Sequence, residues 1–427
     1  MPMPDLMMLR SSEPLAVATS GGSDSMALVC ALKEREPDRT IIALHVDHRL
    51  RTSSTQEAHQ LQKWLEARSI PCVILTIDPP LDREAGNLAA QARIARYALM
   101  EGWCLHHDVH LLATAHHLGD QAETFLMRLA RGSGVDGLSC IAQERIQPSG
   151  IRLIRPILHW CKEDAINFLQ QRHIPWIEDP TNQLSCYQRN RWRMMMPQLA
   201  AEGLSVARLA RHAEHMARLA DFMQQHTAAW LQQHEVFAPQ AYAILPYDAW
   251  CEAHEELALR LLRACLVHIQ PYKTPRFDAL EQLYHALHSS APKPHTLHGC
   301  MIRTRHNQIF IYREMAHCSP HITLSSVPQL WDDRVMVACA APSPVQCGAL
   351  GVRGLAWLRK NIPDGVPDLP ATLLHSLPTF FHLEEPIAIP HIDYYAHTCE
   401  KENILIAHED ASHQNVETMS IFNEIYP

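Results

Sequence analysis

Six residues, Ser20-Gly-Gly-Ser-Asp-Ser25, restrict the fold more than any other part of the chain, because of what flanks them. Before them runs an apolar segment, Pro14-Leu-Ala-Val-Ala-Thr19, that reads as a strand, and from Ser25 to Glu36 the spacing is helical. A strand that enters a helix through two glycines brings backbone amides to the helix start. Positive φ is open to glycine there, and the helix dipole favours an anion. The loop is therefore a candidate phosphate cradle, in which Ser20, Ser23 and Ser25 add hydroxyls and Asp24 is the acid. The plainer reading of the same residues is a Gly-Gly turn with a solvated Asp24. No lysine follows the glycines, so the loop is not G-x-x-x-x-G-K-[ST], and it is not G-x-G-x-x-G.

The alternation continues. Thr40 to Val46 reads as a strand, Thr55 to Arg68 as a helix, Pro71 to Ile77 as a strand, Asn87 to His106 as a long helix and Val109 to Thr114 as a strand. Such an order predicts an α/β fold with a doubly wound parallel sheet, whose ligands sit beyond the carboxyl ends of the strands. At 427 residues the chain exceeds what one core supports, so smaller C-terminal domains are expected, the first mainly helical and the second α+β. The expected boundaries are 1–215 for the first domain, 216–244 for a helical linker, 245–316 for a second domain and 317–427 for the last. Helical spacing from Trp250 to Ile269 and from Phe277 to His288, and a hairpin from Cys300 to Tyr312, fill the third of these.

Composition narrows the function. Thirteen cysteines lie scattered without a C-x-x-C pair, which suggests reduced, buried thiols rather than a disulfide framework or a cluster. The net charge of −9 argues against coating nucleic acid nonspecifically. Between residues 187 and 218, however, six arginines face only Glu202 and Glu214. No apolar run reaches the roughly 20 residues of a membrane span, and Met1 to Arg10 does not read as a secretory signal. The expected location is cytoplasmic.

Four further segments carry candidate chemistry. His45-Val-Asp-His48 ends the second strand and reads as a nucleotide contact, a polar loop or a metal pair. Arg93 and Arg96 lie three apart on one helical face, either clamping an anion or simply solvated. His116, Asp120 and Glu123 are spaced by four and three residues on one side of a helix start. The two carboxylates could hold an ammonium group and, with the histidine, help it lose a proton, or could be ordinary helix-start acids. Arg189 and Arg191 suit phosphate contacts or a solvated basic helix.

Together these segments identify a resemblance. The loop from Ser20 to Ser25 matches S-G-G-x-D-S of the ATP pyrophosphatases (PP-loop superfamily, adenine nucleotide alpha hydrolase-like), which cleave ATP between the α and β phosphates. His45 to Arg51 resembles H-V-[ND]-H-x-L-R, Asn87 to Tyr97 resembles N-L-E-A-x-A-R-x-x-R-Y, and Ala115 to Thr124 resembles A-H-H-x-x-D-Q-x-E-T. Glu178 onward resembles E-D-x-[ST]-N-x-D-x-x-[YF]-x-R-N-x-x-R. These are patterns of the tRNA(Ile)-lysidine synthetases. Two family carboxylates are missing, with Ala89 and Leu184 in their places.

The resemblance implies ATP binding by Ser20, Gly21, Gly22, Ser23, Asp24, Ser25 and His45, and catalysis by Asp24, Arg93, His116, Asp120 and Glu123. Lysine and the target cytidine would be held by His116, Asp120, Glu123, Arg189 and Arg191. ATP and Mg2+ are implied as cofactors, and isoleucine tRNA with a CAU anticodon and L-lysine as partners. A homodimer is compatible with this reading, and the Mg2+ ligands are unassigned. The superfamily's tRNA-thiolating enzymes use a cysteine pair or a cluster, which this chain does not offer as C-x-x-C. Its amidating ligases need an amidotransferase part that the C-terminal half does not resemble.

Overall fold

The computed structural model describes residues 3–7, 9, 13–49, 54–78, 88–178, 188–238, 241–271, 274–289, 293–339, 344–362, 365–396 and 404–408. Asn87, Leu50, Arg51, Leu184, Tyr187 and the side chain of Ala89, all singled out above, lie outside the described part, as do 179–182 of the E-D-P-T-N run. The chain divides into two compact units, Met1–Phe222 and Met223–Pro427.

The first unit begins with β1 (Leu15–Ala18), α1 (Ser23–Arg35), β2 (Ile41–Asp47), α2 (Ser54–Glu66), β3 (Cys72–Thr76), α3 (Leu88–His106) and β4 (Leu111–Ala113). It continues with α4 (Leu118–Leu129), α5 (Val135–Leu138), β5 (Glu144–Ile146), β6 (Arg152–Ile154), α6 (Lys162–Gln171) and α7 (Gln188–Ala201), and α8 (Val206–Gln233) crosses its boundary. The sheet order is β3-β2-β1-β4-β6-β5, and every pairing is parallel except β5 with β6. That antiparallel edge, absent from the sequence reading, is a hairpin closed by Gly150 at φ 82°.

The strands read as near-continuous apolar runs because both faces of the sheet are covered. Leu15, Val17, Ile41, Ala43, Leu111 and Ala113 pack on one face with α1, α2 and α6. Ala16, Leu44, Val46 and Leu112 pack on the other with Met100 and Cys104 of α3. This is the period of two that a pleated strand imposes. Helix α1 is buried on nearly all sides, and Met26, Leu28 and Leu32 are fully enclosed. Each such side chain contributes about 1.5–3 kcal/mol of burial, so the helix that carries the loop is rigidly seated.

In the second unit, a five-stranded antiparallel sheet runs in the order Phe237–Ala238, Tyr242–Pro246, Gln308–Arg313, Cys300–Arg305, His295–Leu297. The expected hairpin is present, and His306 and Asn307 both take positive φ at its turn, as a tight primed turn requires. Helices Glu255–Ile269 and Phe277–Leu287 cover one face, and Leu350, Leu355, Leu358 and Leu374 cover the other. The stretch read as mainly helical therefore also contributes a sheet. Gln308–Arg313 reads as a continuous apolar run because both its faces are covered, whereas the edge strands Phe237–Ala238 and His295–Leu297 are too short to signal themselves. Two further sheets follow, of five and three strands. No helix among the described residues is long and apolar enough to cross a membrane.

Candidate active site

The sheet order reverses at β1, which has β2 on one side and β4 on the other. Connections leaving β1 and β4 diverge there, opening a crevice at their carboxyl ends, the usual ligand position in such sheets. The loop Thr19–Gly22 leaves β1 and the segment Thr114–His117 leaves β4, so the two richest sequence motifs face one crevice.

The first loop is tied internally. Ser25 Oγ accepts from Ser20 N–H at 3.1 Å, donates to the Gly22 carbonyl at 3.0 Å and lies 3.2 Å from Ser20 Oγ. Ser25 is thus spent on holding the loop rather than presented outward. Gly21 adopts φ 89°, and a Cβ there would lie 2.8 Å from Ile177 Cδ1. The Ile177 amide also donates to the Gly21 carbonyl at 2.8 Å, fixing the turn from outside. His45 is buried, and its Nδ1 donates to the Thr19 carbonyl at 2.9 Å, so it braces the peptide before Ser20. Burial holds the His45 pKa below its usual value, which keeps the ring neutral. No side chain caps Gly22 at the start of α1, leaving the first-turn amides open toward the crevice.

Across the crevice, His117 caps α4. Its Nδ1 accepts from the Gly119 amide at 3.0 Å, and its own amide donates to Asp120 Oδ2 at 2.9 Å. With Nδ1 accepting, the neutral ring carries its proton on Nε2. That nitrogen lies 3.9 Å from Asp24 Oδ2 and 3.8 Å from Asp120 Oδ2, between the two half-sites. His116 meets Thr114 Oγ1 through Nδ1 at 2.9 Å. Burial drives its pKa well below the usual value, and the charges of Arg155, Arg93, Arg189 and Arg96 push in the same direction.

The carboxylates of α4 are engaged from α7. Arg189 reaches Asp120 Oδ1 through Nη2 and Glu123 Oε2 through Nε, both at 2.5 Å, and Arg193 Nε reaches Glu123 Oε1 at 2.7 Å. Glu123 is 3% exposed, and an unpaired charge so deep would be costly. Burial alone would lower the Arg189 pKa, but Asp120 and Glu123 outweigh it and raise it.

Most of the expected residues therefore meet. Ser20 to Ser25, His45, His116, Asp120, Glu123 and Arg189 line or brace one crevice. Arg93 is exposed, stands 5.1 Å from the Tyr97 ring and acts on His116 through its charge. Arg96, at 5.6 Å from the same ring, is the more buried of the pair, and its Nε has no partner among the described residues. Arg191 is exposed on α7, while Arg193 makes the contact with Glu123. Arg193 is also the residue that completes R-N-x-x-R, so the sequence contained the signal.

Lys162 and His117 were not among the expected site residues. Lys162 Nζ donates to Asp24 Oδ1 at 2.9 Å, to Asp24 Oδ2 at 2.7 Å and to Ser23 Oγ at 2.8 Å. Nothing local in the sequence announces it, because it arrives from 138 residues away. Asp47 is also placed with care. Burial raises its pKa, but the Arg49 amide and the Thr55 hydroxyl, each donating to its carboxylate at 2.9 Å, help outweigh this, and the net direction is down.

A family model described as a PP-loop domain matches residues 3–199. Over 407 residues the chain is 31% identical to the tRNA(Ile)-lysidine synthase of Anaplasma marginale (strain St. Maries), covering 90% of this chain and 86% of that protein. It is 28% identical over 412 residues to the tRNA(Ile)-lysidine synthase of Orientia tsutsugamushi (strain Boryong), covering 92% of each. Among solved structures, the U34-tRNA thiolase NcsA from Methanococcus maripaludis with its 4Fe-4S cluster aligns at 18% identity and a TM-score of 0.43. That alignment covers 49% of this chain and 73% of the other.

Proposed function

The chain belongs to the tRNA(Ile)-lysidine synthase family, and on that premise we propose that it converts the wobble cytidine of CAU-anticodon isoleucine tRNA to lysidine, using ATP and L-lysine. One observation carries the reading. Two half-sites of different chemistry, a phosphate loop and a carboxylate–arginine cluster, face each other at the switch point with His117 Nε2 between Asp24 and Asp120.

Cytosine C2 is a poor electrophile because its carbonyl belongs to a conjugated urea-like system. In the proposed first step, cytidine O2 attacks the α phosphorus of ATP, the bond to the β phosphate breaks, and pyrophosphate leaves. In the second, the lysine ε-nitrogen attacks C2, the C2–O2 bond breaks with AMP as leaving group, and the nitrogen loses its proton. Catalysis is largely positioning and charge stabilisation. The amides of α1 and the hydroxyls of Ser20 and Ser23 would orient the phosphates. The arginines around His116 would stabilise the adenylated intermediate, and Asp120 would receive the ammonium group of lysine, while Glu123, enclosed between Arg189 and Arg193, would hold those arginines in place. Asp24 suits Mg2+, which typically takes one or two carboxylates plus substrate phosphates. The ion would supply charge neutralisation on the phosphates.

An anticodon base must leave its stack to enter this crevice, which fits recognition of single-stranded loops. We assign residues 245–316, with Arg260, Arg263, Arg303 and Arg305, and residues 317–427 to recognition of the tRNA body. We also place the chain in the cytoplasm, where its substrate is. The test is pyrophosphate release. Release from ATP that requires CAU-anticodon isoleucine tRNA supports the reading, and release indifferent to tRNA would oppose it.

A further inference from the structure

We propose that a groove beside Trp230 in the second unit captures one unpaired guanine of the tRNA, stacked on the indole and read along its edge by Glu252 and His254. The assignment rests on the reading that the chain acts on tRNA, and it names a contact outside the crevice of the first unit.

The groove has a volume of about 620 Å3 and lies wholly among residues of the second unit. Three segments form it: the end of α8, the short helix Tyr247–Glu252 and the start of helix Glu255–Ile269. Its apolar wall holds Met223, Trp230 and Leu257. The His234 ring stacks on Trp230 with centroids 4.0 Å apart, and its Nδ1 donates to the Trp230 carbonyl at 2.9 Å. Trp230 also packs against the core behind it while staying partly exposed, so the indole is a fixed wall. An aromatic wall held in this way suits a planar heterocycle, and every base has a π-face that stacks on one.

The polar groups on the rim select among the bases. Glu252 is exposed and has no ion pair among the described residues, whereas Glu256 is engaged by Arg260 Nε at 2.8 Å. His254 Nδ1 accepts from the Glu256 amide at 3.3 Å, which leaves the proton of the neutral ring on Nε2. The groove therefore offers one N–H donor and one carboxylate. Guanine carries the matching set, with O6 as acceptor beside N1–H and N2–H2, and two parallel N–H groups suit the two oxygens of a carboxylate. Uracil sets a single N–H between two carbonyls, and cytosine and adenine set an acceptor nitrogen beside their amino group. Each of these turns a lone pair toward one carboxylate oxygen, which costs affinity. Glu252 repels phosphate as well, so a base edge enters rather than the backbone. The plain alternative is a solvated Glu252 beside a packing tryptophan, and it predicts no preference among bases.

The experiment is equilibrium binding of the 5′-labelled RNA pentamers UUGUU, UUAUU, UUCUU and UUUUU to the full chain, read by fluorescence anisotropy. It compares wild type with Trp230→Ala, Trp230→Phe and Glu252→Gln. Wild type is expected to hold UUGUU about tenfold more tightly than the other three. W230A should lose about tenfold or more for UUGUU, and W230F should restore most of it. E252Q should bring UUGUU to within about twofold of the other pentamers. Circular dichroism shows whether W230A has folded, and E252Q, which alters an exposed side chain, keeps the assignment testable if it has not. Equal affinity for all four pentamers, binding of none, or a guanine preference that survives in E252Q would each overturn the assignment. The pentamers require no turnover, so pyrophosphate release that depends on tRNA, without a guanine preference, would remove this pocket and leave the activity standing. A guanine preference without such release would count against the activity alone.

Discussion

Glu123, almost fully enclosed on α4, shares its two carboxylate oxygens between Arg189 and Arg193 of α7, which approach from 66 and 70 residues away. Removing the acid leaves two guanidinium groups facing only Asp120. Glu123→Ala is expected to destabilise the first unit by about 1–3 kcal/mol. This is less than the roughly 3–5 kcal/mol of a fully buried pair, because both arginines are more than a third exposed. Urea unfolding checks this, and Arg189→Met in the same background should cost less than it does alone.

Acid should weaken the fold before it reaches the carboxylate range. His45 and His116 both have folded pKa values below the ordinary 6.5, each through burial first. A depressed pKa stabilises the fold above the unfolded value, and that contribution is lost as pH falls. The melting temperature should therefore be flat above about pH 7 and fall progressively below about 6.5. His116→Asn should flatten part of that slope, and an unchanged slope in both His45→Asn and His116→Asn would contradict the account.

The turn at Gly21 is expected to accept no side chain. Gly21→Ala meets Ile177 at 2.8 Å and also imposes positive φ on a residue with a Cβ, a cost of about 1–3 kcal/mol. Ile177→Ala in the same chain relieves the contact but not the backbone, so nucleotide affinity should recover only in part. Full recovery would show that the conformation itself matters little.

Buried thiols should resist alkylation. Burial pushes Cys72, Cys104, Cys300 and Cys347 up to about 12, so their thiolates are scarce at neutral pH. Native treatment with iodoacetamide at pH 8, followed by peptide mass spectrometry, should leave these four unmodified while denatured chain is labelled throughout. Rapid native labelling of any of them would contradict their enclosure.

What the sequence made legible follows physical range. The β1–loop–α1 unit and the Cys300–Tyr312 hairpin rest on local spacing and turn chemistry, and these could be read directly. Asp120 and Glu123 lie three apart on α4, so their common face was also readable, whereas His116 precedes the His117 cap and meets Thr114 instead of sharing the helix. The bonds of Lys162 to Asp24 and of Arg193 to Glu123 depend on which helices the sheet order brings together, and no local pattern encodes that. The antiparallel β5 escaped because three residues, two of them exposed, carry too little alternation. Ser25 was read as a phosphate donor by its position, but its hydroxyl is consumed inside the loop.

The central claim is that one crevice adenylates a tRNA base and then joins lysine to it, with Asp24 at its centre. Incorporation of radiolabelled lysine into CAU-anticodon isoleucine tRNA, with ATP and Mg2+, tests it most directly in wild type and Asp24→Ala. The account predicts ATP-dependent incorporation by wild type and a loss of about a hundredfold or more in the variant. Pyrophosphate release without lysine incorporation would contradict the assigned nucleophile, and the absence of both would contradict the account as a whole.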